Sequence, residues 1–255
     1  ARVQGLADEP GVTAARDLAE VARSSATIIT MLPNGEIVAR VVDELAPAMT
    51  GGIIVDMSSS APLGTIALGE ALAGRGIGLL DAPVSGGVRK ARTGELAIMV
   101  GGDEALIATV RPALEILGKL FPTGRLGSAH ALKALNNFVS AAGLAAACEA
   151  LLVADRFGID QDLVVEVLNN STGRNNSTEN KLRQFVLSGS FGGGFDIGLM
   201  AKDIRTAARL ADDVAVDAPT LRQTADLWSA AAAALPAGSD HTAVYRHLAA
   251  LSDEN

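Results

Sequence analysis

The sequence predicts an α/β domain over residues 1–127 followed by an all-α domain over residues 128–255, joined by one long helix that runs from the first into the second. Three observations carry this. Short β-type runs alternate with helical patterns up to Gly127, the signature of a parallel sheet with crossovers. Beyond Gly127 helix follows helix, rich in Ala and Leu, with no clear β pattern through Asn255. Finally, 255 residues are enough for two domains with cores of their own, because single cores stop growing near this size.

Strands are expected over 26–31, 52–56, 77–81, 96–100 and near 120–122. Helices fit between several of them: 36–49 is amphipathic, 62–74 opens with a proline after a serine run, and 103–119 opens with acids and ends basic. In the second half, 132–157 reads as a long apolar helix, and Asp160-Gln-Asp162 restarts a helix after the stop at Gly158. The stretch Asn169 to Thr178 reads as a polar loop, and Phe191-Gly-Gly-Gly-Phe195 as a mobile glycine hinge.

Composition narrows the function classes. A net charge of −8 gives no phosphate-binding footprint, so nucleic acid is not an expected partner, and an acidic surface argues against anionic membranes. The apolar run 138–154 contains Glu149 and falls short of a bilayer span of roughly 20 residues, so it is expected to be buried. The single cysteine, Cys148, cannot form an internal disulfide and reads as a small buried hydrophobe. With no secretory leader pattern in the sequence, the cytoplasm is the expected location. The histidines His130, His241 and His247 are scattered, so no metal is expected, and His130 reads equally as a satisfied helix-start residue or a neighbour of the site.

The chemistry concentrates in two motifs. Gly124-Arg-Leu-Gly127-Ser-Ala-His-Ala-Leu-Lys133-Ala-Leu-Asn136-Asn137 carries a glycine turn into the apolar helix and sets Lys133, Asn136 and Asn137 at i, i+3 and i+4, on one face. An ammonium beside low-dielectric surface loses solvation, which lowers its pKa and suits it to proton exchange near neutrality. The bland alternative is a lysine snorkelling from a core helix beside two capping amides. The second motif, Asp81-Ala-Pro-Val-Ser85-Gly86-Gly87, follows a strand with a hydroxyl and two side-chain-free N–H groups, a concavity suited to a carboxylate. By itself it is also a common structural turn.

In this order, together with Ile28-Ile-Thr-Met31-Leu32-Pro33-Asn34, Val55-Asp56-Met-Ser58-Ser59 and Leu199-Met-Ala-Lys202-Asp203, the motifs resemble the β-hydroxyacid dehydrogenase family over essentially the whole chain. The resemblance implies a Rossmann-like first domain and NAD or NADP as cofactor. It implies Lys133 as catalytic acid/base, Asn137 as a substrate-orienting amide and Ser85, Gly86 and Gly87 as the cradle for the substrate carboxylate. Met31, Leu32, Pro33 and Ser59 would line the cofactor and Lys202 would close over its nicotinamide end; Asn175, Asn176 and Phe195 belong to the elements that close the substrate pocket, with Asn176 toward the substrate and Phe195 toward the cofactor. The two sets of residues are expected to meet in a cleft between the domains.

Departures from the family pattern matter too. A first strand with a glycine-rich pyrophosphate turn is not found: Gly51-Gly52 and Gly101-Gly102 lack its spacing and following helix. The expectation is a longer polypeptide, with two strands and a helix preceding this sequence, and with the strand at 26–31 left without a neighbour. Ala129 replaces a glycine, a small steric change. Asn176 stands where 3-hydroxyisobutyrate dehydrogenases carry tryptophan, which favours a more polar or larger substrate.

The leading expectation is an NAD(P)-dependent oxidoreductase interconverting a short 3-hydroxy acid and its semialdehyde. Against it stands a cofactor-deficient fragment or regulatory, dimerising protein derived from the same family. Relatives that reduce imines generally lack the lysine, so Lys133 argues against that chemistry. The long apolar helix exposes enough hydrophobic surface to suggest a homodimer or homotetramer.

Overall fold

A computed structural model describes residues 9–253 and resolves two compact units, Ala1–His130 and Ala131–Asn255. In the N-terminal unit, the helix α1 (Leu18–Ser24) precedes β1 (Thr27–Thr30), α2 (Gly35–Leu45), β2 (Gly52–Asp56), α3 (Pro62–Ala73) and β3 (Ile77–Asp81). Then come the two-residue β4 (Val84–Ser85), α4 (Gly87–Thr93), β5 (Leu96–Gly101), α5 (Glu104–Glu115) and β6 (Gly118–Gly124).

The strands β1, β2 and β3 are parallel neighbours, and β6 is parallel to β5. Alternation buries both faces. Ile54, Ile77 and Leu79 pack with α2 and α3 on one side, whereas Ile53, Val55, Leu80 and Ile98 pack with Ile107, Val110 and Leu114 of α5 on the other. Gly118 allows β6 to lie against β5, since a Cβ there would collide with the Leu96 carbonyl oxygen.

Several expectations are corrected here. The strand at 26–31 has a neighbour: β1 pairs with β2 over its whole length, so only its other edge lacks a strand among the described residues. The sheet is not wholly parallel, because β5 runs antiparallel to β3 and β4. After β3 the chain turns back through α4 instead of crossing over. The helix expected over 103–119 ends at Glu115, where Gly118 begins β6, and the one expected over 36–49 gives way after Leu45 to a short 3₁₀ turn containing Pro47.

The helices of the second half are α6 (Ser128–Phe157), α7 (Gln161–Asn169), α8 (Asn176–Asn180), α9 (Ile197–Asp213), α10 (Pro219–Ala234) and α11 (Val244–Asp253), with a π-helical turn at Leu182–Leu187. Their core gathers Leu144, Cys148 and Leu151 of α6 against Leu182, Met200, Ile204 and the fully buried Trp228. The 30-residue α6 is longer than the apolar run that was expected, and its length and composition would suffice to cross a membrane; one face of it is core. Cys148 is buried there as anticipated, and burial pushes its thiol up to about 12.

Two segments read as loose loops are ordered by specific contacts. Asn175 caps α8 in a reciprocal box with Thr178, so the polar run contains a helix start. The glycine segment ending at Phe195 is pinned, because the N–H groups of Gly194 and Phe195 donate to Asp240 Oδ2 at 2.7 and 3.0 Å and the N–H of His241 donates to the Phe195 carbonyl at 2.8 Å. It is a clasp rather than a hinge.

Candidate active site

The C-terminal unit assembles a polar cluster from two helices. On α6, Asn136 Nδ2 donates to Asn137 Oδ1 at 3.3 Å, and Asn137 Nδ2 donates to Asp203 Oδ2 at 2.6 Å. On α9, Lys202 Nζ lies 3.0 Å from Asp203 Oδ1. Asn137 and Asp203 are buried, a state that a carboxylate tolerates only when its oxygens have partners. Lys133 stands one turn before Asn137. Burial pushes its ammonium below the ordinary lysine range; the Asp203 carboxylate opposes that shift and the Lys202 charge adds to it.

Asp203 thus joins Asn137 and Lys202, and Lys133, one turn before Asn137, lies within range of the charges of Asp203 and Lys202. In the sequence Asp203 is the last residue of the Leu199-Met-Ala-Lys202-Asp203 motif and has no role apparent from spacing alone. The signal was an acid beside a lysine on an otherwise apolar helix face. Asn176 and Phe195 do not join the cluster. Asn176 is exposed at the first position of α8, and Phe195 packs on the core edge-on to His241, with ring centres 6.0 Å apart.

In the N-terminal unit, Ser85 is the second residue of β4, paired with Ala97, and Gly86 and Gly87 form the start of α4 rather than an open loop. Both glycines are required: Gly86 has φ +133 and a Cβ there would press on Lys90, and Gly87 has φ +64. Their N–H groups lie at a helix start, where the first donors have no intrahelical acceptor.

Two buried carboxylates hold the surrounding loops. Asp56 accepts from Thr30 Oγ1, Ser60 Oγ and the N–H of Ser58 at 2.9 to 3.0 Å. Asp81 accepts from the N–H groups of Gly127 and His130 at 2.9 and 2.8 Å and so fixes the first turn of α6. His130 is itself satisfied, with Nδ1 2.8 Å from Thr65 Oγ1 and Nε2 3.1 Å from the Ser58 carbonyl. It is scaffold.

For a dinucleotide, the relevant edge is the carboxyl end of the parallel strands. There Met31 and Pro33 are exposed after β1, Leu32 is half-buried with its N–H donating to Ser58 Oγ at 2.9 Å, and Ser59 is half-buried after β2. An exposed apolar pair beside hydroxyls suits the nicotinamide and ribose portion. A glycine-rich turn suited to the pyrophosphate does not occur among the described residues.

Residues 1–131 match the family described as the NAD binding domain of 6-phosphogluconate dehydrogenase, and residues 127–248 match the NAD-binding family of NADP-dependent 3-hydroxyisobutyrate dehydrogenase. The chain belongs to the β-hydroxyacid dehydrogenase family. This dehydrogenase is 37% identical over 202 residues to 2-(hydroxymethyl)glutarate dehydrogenase of Eubacterium barkeri, covering 77% of this chain and 67% of the relative. It is 33% identical over 251 residues to a probable 3-hydroxyisobutyrate dehydrogenase of Mycobacterium tuberculosis, covering 95% and 85% of the two chains. Among solved structures, the 3-hydroxyisobutyrate dehydrogenase of Mycobacterium tuberculosis with L-serine superposes with a TM-score of 0.86 at 31% identity, covering 93% of this chain and 84% of that one. Psf3, solved with NADP+ and 2-OPP, superposes with a TM-score of 0.82 at 26% identity, covering 97% of this chain and 89% of that one. The β-hydroxyacid dehydrogenase described here is therefore an oxidoreductase that uses NAD or NADP.

Proposed function

We propose that this dehydrogenase interconverts a short 3-hydroxy acid and its semialdehyde, with Lys133 as the acid/base. The observation that supports the reading best is the partly desolvated Lys133 ammonium beside the Asn137–Asp203–Lys202 cluster. In the oxidation direction, neutral Lys133 Nζ takes the hydroxyl proton; in reduction, the ammonium returns it to the carbonyl oxygen. The bound nicotinamide supplies the hydride acceptor or donor. Asn137 gives one Nδ2 hydrogen to Asp203 and has the second to donate to the substrate oxygen, which orients it. Within the N-terminal unit, Ser85 and the N–H groups of Gly86 and Gly87 would bind a carboxylate, and Met31, Pro33 and Ser59 would hold the nicotinamide side of the cofactor. Leu32 contributes packing.

The test is Lys133→Ala assayed with 3-hydroxyisobutyrate and each dinucleotide. Turnover is expected to fall by about 10²–10⁴-fold while dinucleotide still raises the melting temperature. Loss of both responses would give Lys133 a folding role. A wild-type protein that shows neither would favour the cofactor-deficient regulatory reading. Homo-oligomerisation is supported by the exposed apolar residues Leu132, Leu135, Val139, Val153 and Phe157 along α6. A monomeric mass by light scattering would refute it.

A further inference from the structure

A second lysine reaches the same face of α6. Lys181 lies between α8 and the π-helical turn, with φ −130 and ψ −42, and its Nζ donates to Ser140 Oγ at 3.2 Å. Ser140 follows Lys133 by seven residues and Asn137 by three, so the three positions form one stripe of the helix. The helical rise sets Ser140 about 10 Å beyond Lys133 along the axis.

Lys133 itself has no carboxylate within 4.0 Å among the described residues, and Asp203 acts on it from further away. Near Lys133, the Lys202 ammonium is closed by Asp203 at 3.0 Å. Near Ser140, Lys181 has no carboxylate within 4.0 Å among the described residues. The acid that acts on it from further away is Asp240, whose oxygens are already committed to the N–H groups of Gly194, Phe195 and Thr242. Cys148, also close, is a neutral thiol and offers no counter-charge. Burying most of an ammonium with one hydroxyl as its hydrogen-bond partner costs free energy, and groups kept at such a cost are candidates for meeting a ligand charge.

The geometry points to Lys181 and Ser140 as a receptor for a second anionic group on the substrate, so that the preferred 3-hydroxy acid carries another carboxylate remote from its hydroxyl. This rests on the assignment of Lys133 as acid/base at the other end of the stripe. The competing role for Lys181 is a tie between α6 and the end of α8, which would serve every substrate equally.

The experiment compares two acids with the same reacting end, 3-hydroxyisobutyrate and 2-(hydroxymethyl)glutarate, the second of which adds a distal carboxylate. In Lys181→Met, the ratio of kcat/KM for the dicarboxylate to that for the monocarboxylate is expected to fall about 10–100-fold through KM, the loss of one charged hydrogen bond. Ser140→Ala should lower the ratio about 3-fold, and Lys181→Arg should restore most of it; these two carry the test if Lys181→Met fails to fold. An unchanged ratio, including an equal loss for both acids, overturns the proposal. Calorimetric titration with glutarate gives a readout that does not need turnover. Binding at least 10-fold weaker in Lys181→Met supports the receptor, and equal binding overturns it. If wild-type protein turns over neither acid, the reading of Lys133 fails, and the titration alone decides the fate of Lys181.

Discussion

Replacing Asp203 by asparagine separates its electrostatic role from its architectural one. The side chain keeps its shape and one acceptor oxygen but loses its charge. Asn137 Nδ2 at 2.6 Å and Lys202 Nζ at 3.0 Å use different oxygens of Asp203, so one contact loses its charge assistance and the other, now facing an NH2, is lost. Losing charge assistance costs about 1 kcal/mol and losing a charged hydrogen bond about 2 kcal/mol, so the pair loses about 3 kcal/mol. Lys202 is only about a quarter exposed, so solvent screening returns little of this. For a chain of this size the melting temperature should fall by about 6–12 °C. The kinetic effect has a definite sign. Asp203 holds the Lys133 ammonium up against the burial that lowers it, so removing the charge lowers Lys133 further. Oxidation requires neutral Lys133 and rises with pH as the proton leaves. In Asp203→Asn the acid limb of the kcat profile for oxidation therefore moves to lower pH. The assay is steady-state oxidation between pH 6 and 10 beside a thermal melt. A limb that stays in place or moves to higher pH, with the melting temperature lowered as calculated, would refute the coupling and leave Asp203 as a structural brace.

Asp81→Ala removes the acceptor for the Gly127 and His130 N–H groups inside the protein, at a cost of about 3–5 kcal/mol measurable as a lowered denaturant midpoint; Asp81→Asn should cost about half of that. Lys133→Met should stabilise the protein near neutral pH. The folded-state pKa of Lys133 lies below its unfolded value of 10.5, so between the two the unfolded chain binds the extra proton, and wild-type stability rises with pH across that window. The advantage of the methionine variant in thermal melts should accordingly shrink as pH approaches 10.5, and a constant or growing advantage would contradict the burial of the ammonium.

Much of this was legible in the sequence because its signals are local. Val-Ile-Leu runs placed β2 and β3 at their observed bounds, and the spacing of Lys133 and Asn137 put them on one helix face before any contact was known. What could not be read depends on distant parts of the chain. The antiparallel return of β5 rests on its pairing with β3 at Asp81↔Gly101 and with β4 at Val84↔Ile98 and Ser85↔Ala97, and no short-range pattern encodes the first of these. The Phe191–Phe195 segment looks mobile by composition, but Asp240, 45 residues beyond Phe195, holds it. Burial would raise the Asp240 carboxyl, but hydrogen bonds from His241 and Thr242 outweigh it and keep the group far below the ordinary carboxylate range. Asp203, too, gained its meaning only when Asn137, 66 residues earlier, was placed against it.

The burial of Trp228 has a spectroscopic consequence. The chain has one tryptophan and one tyrosine, Trp228 and Tyr245, and both belong to the C-terminal unit. The indole is fully enclosed by apolar neighbours, and its N–H has no acceptor within reach among the described residues. Its emission should be blue-shifted when folded and should move to the red only when that unit opens. Fluorescence excited at the indole band is therefore blind to the sheet-containing half of the molecule, whereas far-ultraviolet dichroism reports both halves. Melts followed by the two signals would coincide if the halves unfold together and part company if the sheet lets go first.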